Sequence, residues 1–209
     1  ILLLASPNNP TGNGLTPAEL KQLLSFVPAT TIVLVDEAYA SFVSIDTTYI
    51  KELTDKYPNI IISRTLSKFY GLPGLRMGFG FISKELHPFC RYSNKYLGYN
   101  RISEDIAIAA LQSDAHYRNI AKQMNEDRAC YEREIGSLPG FKVYESVANF
   151  ILIKYPIELK EALQEAFAQH HYKIKFMNEP DINMHLRITF GRPEHNRFVI
   201  DTIKEIANR

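Results

Sequence analysis

At 209 residues, with 24 Lys and Arg against 23 Asp and Glu, the chain carries a formal net charge of +1; 45% of it is hydrophobic and 22% charged. That balance describes a globular protein able to bury a sizeable core in one large domain or in a large and a small lobe. It excludes a strongly basic nucleic-acid binder and a polyanionic tail, and no apolar run is long enough to predict a membrane-spanning helix.

Residues 1–4 form a continuous apolar run closed by SPNNPTGNG, a dense turn cluster, and the leading segment lacks the basic region of a signal peptide. Thr16-Pro17 predicts a helix start, with Thr16 as N-cap, Pro17 at the first helical position and Leu20, Leu23, Leu24 and Val27 along one face. Residues 31–35 and 60–63 are short β-branched runs, apolar on both faces, which is the look of central parallel strands. A further strand is expected at 77–82, weakened by Gly78 and Gly80. Strands separated by helical patterns predict α/β layers with crossover connections.

The second half changes character. Residues 103–136 predict two consecutive helices breaking near Ser113–Asp114, and Pro139-Gly140 marks a stop. Strands are expected at 141–145 and 148–153, an amphipathic helix at 157–170, strands at 172–176 and 185–190, and a last helix from Pro193. This order predicts a small α+β lobe. Cys90 and Cys130 are too few and too far apart for a disulfide framework or a zinc site. The six histidines make no metal-ligand pair, and His170-His171 falls at a helix end, so no metal is expected.

Chemistry-bearing residues cluster after the predicted strands, where open α/β sheets bind ligands. Asn9-Pro10-Thr11-Gly12 follows the first strand, Asp36-Glu37-Ala38-Tyr39 the second, and Arg64-Thr65-Leu66-Ser67-Lys68 the third, with Arg76 soon after in GLPGLRMGF. A lysine at such a place suits attack on a carbonyl, provided that a nearby cation or a desolvated pocket keeps it partly neutral. Asp36 suits a protonated ring nitrogen, and Tyr39 offers a phenol to a second oxygen. Thr65, Ser67 and Arg76 supply hydroxyl and guanidinium donors for a phosphate. An aldehyde, a ring nitrogen and a phosphate together specify pyridoxal 5′-phosphate, whose pyridinium is an electron sink. Taken singly, each feature has a plainer explanation: NPTG as an ordinary turn, Asp36-Glu37 as a helix cap, Lys68 as a surface lysine. Their joint order is what selects the cofactor.

On these motifs the chain resembles the fold-type I pyridoxal-phosphate enzymes of the class I/II aminotransferase superfamily. Within it, the resemblance is to the branch holding histidinol-phosphate aminotransferases and threonine-phosphate decarboxylases. The resemblance implies a three-layer large domain with a mostly parallel sheet, incomplete here, and a smaller C-terminal α+β lobe. On that division 1–113 is the C-terminal part of the large domain, 114–136 a connecting helix and 137–209 the small domain. It implies that Lys68 binds the cofactor aldehyde and later shuttles a proton, and that Asp36 partners the ring nitrogen. Asn9 and Tyr39 then bond the ring hydroxyl, and Thr65, Ser67 and Arg76 form the phosphate cup. In LRITFG, Arg187 takes the substrate carboxylate, and Asn149 in VANFIL lies near the substrate. A cis peptide at Asn9–Pro10 is also implied. The expected partners are a small amino acid or amino phosphate and a second copy of the chain, in the cytoplasm, with no nucleic acid and no membrane.

The string SKFYGLPGLRMGF looks more like the decarboxylases that act on threonine or serine phosphate than like the transaminases, although LPGLR occurs in both. Which bond breaks depends on which substituent at Cα stands perpendicular to the ring. If Arg187 holds the carboxylate in the ring plane, the proton leaves; if another cation, for which Arg192 is the candidate, grips a phosphate and turns the carboxylate out of plane, CO2 leaves. Because the likeness starts in the middle of the family's large domain, this is also expected to be the C-terminal portion of a longer enzyme, without catalysis on its own. Its sheet is then expected to leave an apolar face uncovered.

Overall fold

The computed structural model describes residues 1–44, 46–92 and 98–209. In the first half, β1 (Leu2–Ala5) leads through helix α1 (Pro17–Phe26) to β2 (Val33–Asp36), and α2 (Thr48–Lys56) leads on to β3 (Ile60–Thr65) and β4 (Gly78–Ile82). The four strands form one sheet in chain order. The two α-helical connections return the chain to the same end of the sheet, so β1, β2 and β3 run parallel, whereas the 66–77 link, which holds no α-helix, leaves β4 antiparallel. Helix α1 starts where the sequence predicts, with a capping box. Thr16 Oγ1 accepts from the Glu19 amide at 3.2 Å, and Glu19 accepts from the Thr16 amide at 2.8 Å.

One face of this sheet is closed. Val33, Val35, Ile60 and Ile62 pack with Leu20 and Leu24 of α1 and with Ile50 and Leu53 of α2. The opposite face is open at Leu3, which is 71% exposed, while Leu34 and Ile61 are half-buried. Helix α2 is an element that the apolar periodicity does not announce. β2 and β3 also run further than their apolar runs, to Asp36 and Thr65, because the ladder continues through polar residues.

The rest of the chain contains α3 (Arg101–Leu111), α4 (Asp114–Ile135), β5 (Lys142–Val143), β6 (Phe150–Lys154), α5 (Lys160–Gln169), β7 (Lys175–Phe176), β8 (His185–Thr189) and α6 (Pro193–Ala207). The break between α3 and α4 lies where Ser113–Asp114 predicts it. A second, antiparallel sheet has the order β5-β6-β8-β7, and its outer strands are two residues each, far shorter than the predicted 141–145 and 172–176. The described residues divide into two compact units, 1–8 with 13–119 and 9–12 with 120–209. In the second unit, Ile151, Ile153, Leu186 and Ile188 pack with Tyr131 of α4, Leu163 and Phe167 of α5, and Val199 and Ile203 of α6. Among the described residues no helix is long and apolar enough to cross a membrane.

Within the second unit, the C-terminal part of α4 is also tied to α6 at the surface. Arg197 donates two hydrogen bonds to Glu134, at 2.7 and 2.8 Å, and Lys204 donates a third at 3.0 Å. The Arg197 bonds, then that of Lys204, hold the Glu134 carboxyl well below the usual carboxylate range. A depressed carboxyl stabilises the fold fully above its unfolded value, about 4.3 for Glu, and loses that contribution progressively as pH falls from there through the lower folded value. Glu134→Gln is therefore expected to cost about 1 kcal/mol near neutral pH. The gap from wild type should narrow below pH about 4; denaturant titrations at the two pH values measure both.

Candidate active site

Strand alternation sorts the residues at the carboxyl edge of the first sheet. Asp36, the last residue of β2, pairs with Ser63, and Thr65, two residues further along β3, shares its face. On β4 the partners of Ser63 and Thr65 are Gly80 and Gly78, so this strip of the face carries no side chains. A Cβ at Gly78 would come within 2.8 Å of the Arg64 carbonyl, which explains that glycine by backbone approach. Asp36 is exposed, and its Oδ1 accepts from the Ala38 amide at 3.0 Å. Tyr39 follows at the start of a 3-10 turn, Ala40–Phe42, and is 7% exposed.

The β3 end leads directly into the lysine. Thr65 Oγ1 accepts from the Ser67 amide at 3.1 Å, turning the chain so that Lys68 is exposed with its Nζ 5.5 Å from the Tyr39 ring centroid. Phe69 and Tyr70 point the other way, into a buried aromatic cluster. Phe42 and Phe69 meet edge-on at 5.1 Å, Tyr70 and Tyr117 at 4.8 Å, and the Tyr117 hydroxyl donates to the Tyr70 carbonyl at 3.2 Å. The lysine's backbone is thereby fixed from below. Arg76 closes a 3-10 turn, Pro73–Leu75, in a left-handed conformation with φ 56°; it is exposed, and one Nη donates to the Pro73 carbonyl at 2.9 Å.

Asn9 belongs to the other unit. The Asn9–Pro10 peptide is cis, as the resemblance implies, and so is Ser6–Pro7. Gly12, at φ 79°, accepts at its carbonyl from the Val147 amide at 2.9 Å, and a Cβ there would run into Ser146. The glycine of NPTG is thus required by both conformation and packing. In the same unit Arg187 lies in the middle of β8, opposite Leu152 and Lys175, with its guanidinium 4.0 Å from the Phe150 ring centroid. Asn149 immediately precedes β6; its carbonyl accepts from the Phe190 amide at 2.9 Å, and its buried Oδ1 has no hydrogen-bond partner among the described residues. Arg128, to which the sequence assigns no role, secures this turn by donating to the Ala148 carbonyl at 2.9 Å. Arg192 is exposed at the N-cap of α6 and makes no side-chain capping bond.

Within the first unit the donor set is an exposed amine above a phenol ring, a carboxylate on the neighbouring strand, two hydroxyls and a guanidinium, beside a strip cleared by glycines. That set fits a flat heterocycle bearing an aldehyde and a phosphate. Among the described residues no group of three or more His, Cys, Asp or Glu could hold a metal ion.

The family model described as "Aminotransferase class I and II" matches residues 1–203. The chain belongs to that family. Pyridoxal 5′-phosphate is the cofactor of these aminotransferases. The chain is 34% identical over 211 residues to the histidinol-phosphate aminotransferase of Roseiflexus castenholzii, a match covering 99% of this chain and 55% of that relative. Histidinol-phosphate aminotransferase from Sinorhizobium meliloti, solved in complex with pyridoxal-5′-phosphate, superposes with a TM-score of 0.83 at 24% identity, over 99% of this chain and 56% of the other. L-threonine-O-3-phosphate decarboxylase from Porphyromonas gingivalis superposes with a TM-score of 0.81 at 22% identity, over 99% and 63%. These two likenesses show an aminotransferase fold and no more. The chain spans about half the length of the curated relatives it matches.

Proposed function

We propose that the protein carrying this chain is a pyridoxal-phosphate-dependent transaminase acting on an amino phosphate of the histidinol-phosphate kind. The observation that carries this reading is the 34% identity to a histidinol-phosphate aminotransferase across 99% of the chain. The decarboxylase reading favoured by SKFYGLPGLRMGF rests on residues that pack or turn the chain. Phe69 and Tyr70 are buried, and Pro73–Leu75 forms the turn that Arg76 bonds. Those positions need no substrate to explain them. Arg192, the candidate cation for a side-chain phosphate, is exposed at a helix start.

When bound, the cofactor supplies an electron sink for charge at the substrate Cα. The chain's own residues do the rest. Lys68 Nζ would take the substrate Cα proton and hold it for return, which suits an amine on a mobile four-carbon stem above a fixed backbone. The Asp36 carboxylate keeps the ring nitrogen protonated. Tyr39 would bond the ring hydroxyl, and Thr65, Ser67 and Arg76 would hold the phosphate. On the second unit Arg187, 4.0 Å from the Phe150 ring centroid, would take the substrate carboxylate where the substrate has one, and Asn149 would offer its buried Oδ1 to a substrate donor. The same reading makes the whole protein a cytoplasmic homodimer, with this chain supplying the cofactor lysine.

The experiment is to incubate the protein carrying this chain with histidinol phosphate, O-phosphoserine or O-phosphothreonine, each with a 2-keto acid acceptor, and to follow keto product and CO2. Keto product from histidinol phosphate without CO2 is the expected result. Release of CO2 from either phosphoamino acid in preference to amino transfer would overturn it in favour of decarboxylation.

A further inference from the structure

Alternation places the neighbours of the proposed cofactor residues on the other, closed face of the sheet. Glu37 follows Asp36, and Arg64 precedes Thr65; each side chain of this pair is 4% exposed. The Glu37 amide donates to the Ser63 carbonyl at 2.9 Å, extending the β2–β3 ladder one residue past Asp36. Arg64 Nε donates to Glu37 Oε2 at 2.9 Å, and an Arg64 Nη lies at the same distance from that oxygen. The Tyr49 hydroxyl, from α2, donates to Glu37 Oε1 at 2.6 Å and accepts from Arg64 Nη2 at 3.0 Å. The three groups form a closed ring of charge-assisted bonds, and burial, then the Glu37 carboxylate, pushes the Tyr49 phenol upward, so it stays a donor.

A buried ion pair is weak as a source of stability, because an apolar pair of similar volume holds a core as well or better. What it supplies is direction: two nitrogens of one planar guanidinium converge on Glu37 Oε2 while Tyr49 takes Oε1, and these directional contacts fix two backbones in register and angle where apolar packing tolerates sliding. Here the fixed backbones end in Asp36 on one strand and in Thr65, Ser67 and Lys68 on the next.

We propose that Glu37, Arg64 and Tyr49 are positioning residues, a clamp that sets the spacing between the carboxylate meant for the ring nitrogen and the hydroxyls meant for the phosphate. The proposal rests on the reading of Asp36, Thr65 and Ser67 as cofactor-holding residues. The clamp touches neither cofactor nor substrate; it acts through the residue next to each member.

The test separates positioning from stability. In the protein carrying this chain, Tyr49→Phe and the double variant Glu37→Leu/Arg64→Met are compared with wild type. Three quantities are measured: melting temperature without cofactor, pyridoxal-phosphate affinity, and the near-visible circular dichroism of the bound cofactor per unit of absorbance. The double variant, whose apolar pair replaces the ion pair but removes both partners of the Tyr49 hydroxyl, is expected to melt within about 5 °C of wild type yet bind pyridoxal phosphate about tenfold more weakly, with its dichroism ratio reduced by about half. Tyr49→Phe is expected to weaken binding about threefold. Affinity and dichroism ratio both within about twofold of wild type in these variants would overturn the clamp. Should the double variant not fold, Tyr49→Phe decides alone on the same two readouts. A wild-type protein that takes up no pyridoxal phosphate would overturn the cofactor reading instead, and the clamp with it.

Discussion

Replacing Lys68 by alanine is expected to abolish the near-visible absorption band that appears when pyridoxal phosphate is added, and to lower kcat/KM at least about 10⁴-fold. Both effects follow from one atom. The Lys68 amine is exposed, directly after Ser67, whose amide is bonded to Thr65, and its Nζ stands 5.5 Å from the Tyr39 ring centroid. Alanine removes the group that bonds the aldehyde and the group that moves the proton. It leaves Phe69, Tyr70 and the turn bond from the Gly71 amide to the Lys68 carbonyl, at 3.1 Å, in place. The fold is therefore expected to survive, and loss of the band in a protein with unchanged melting isolates the chemistry from the scaffold. A band of undiminished intensity in Lys68→Ala would remove this lysine from its proposed role and direct attention to another amine.

The legibility of this chain from sequence divides along physical lines. Where local chemistry sets the structure, the residues announce it: Thr16, Pro17 and Glu19 form the capping box, and the β-branched runs at 31–35 and 60–63 become the two central strands. Helix α2 is silent because it buries only Ile50 and Leu53 beneath a mostly polar surface, and its place is decided by packing on the sheet. β5 and β7 end early because strand length depends on a partner, and Lys142–Val143 and Lys175–Phe176 have partners over two residues only. At the site, the order of motifs identifies the face that meets the cofactor, since Asp36 and Lys68 are chemically unusual at strand ends. The opposite face is harder to read. Glu37 and Arg64 look like ordinary surface charges in the sequence, and only the parallel register brings them together in the interior. Phe69 and Tyr70 are the converse case, read as a mark of the reaction when they are core. Alternation along β3 places Arg64 on the closed face, whereas Phe69 and Tyr70 lie past the end of that strand, where no strand period applies.

Asp36→Asn is expected to separate cofactor binding from turnover. Asparagine keeps the shape of the side chain and its Oδ1, so the bond from the Ala38 amide at 3.0 Å survives, and stability is expected to change by less than about 0.5 kcal/mol at this exposed position. What disappears is the negative charge. A protonated ring nitrogen facing a carboxylate at about 4 Å gains about 4 kcal/mol at an effective dielectric near 20. Without that partner the ring nitrogen loses its proton and withdraws electrons less strongly from the reacting carbon. Since about 1.4 kcal/mol is a factor of ten in rate, the loss corresponds to about 10³-fold in kcat. Absorbance after pyridoxal phosphate addition should still show the amine-bound band, because Lys68, Thr65, Ser67 and Arg76 are untouched, while steady-state assays show the fall in turnover. Turnover within about tenfold of wild type would mean that the ring nitrogen needs no formal anion here, and Asp36 would revert to a residue that caps its own turn through Ala38. The contrast with Lys68→Ala is the informative part: one variant removes the band and the activity together, the other keeps the band and removes the activity, and only a carboxylate acting across the ring on the reacting carbon gives that second pattern.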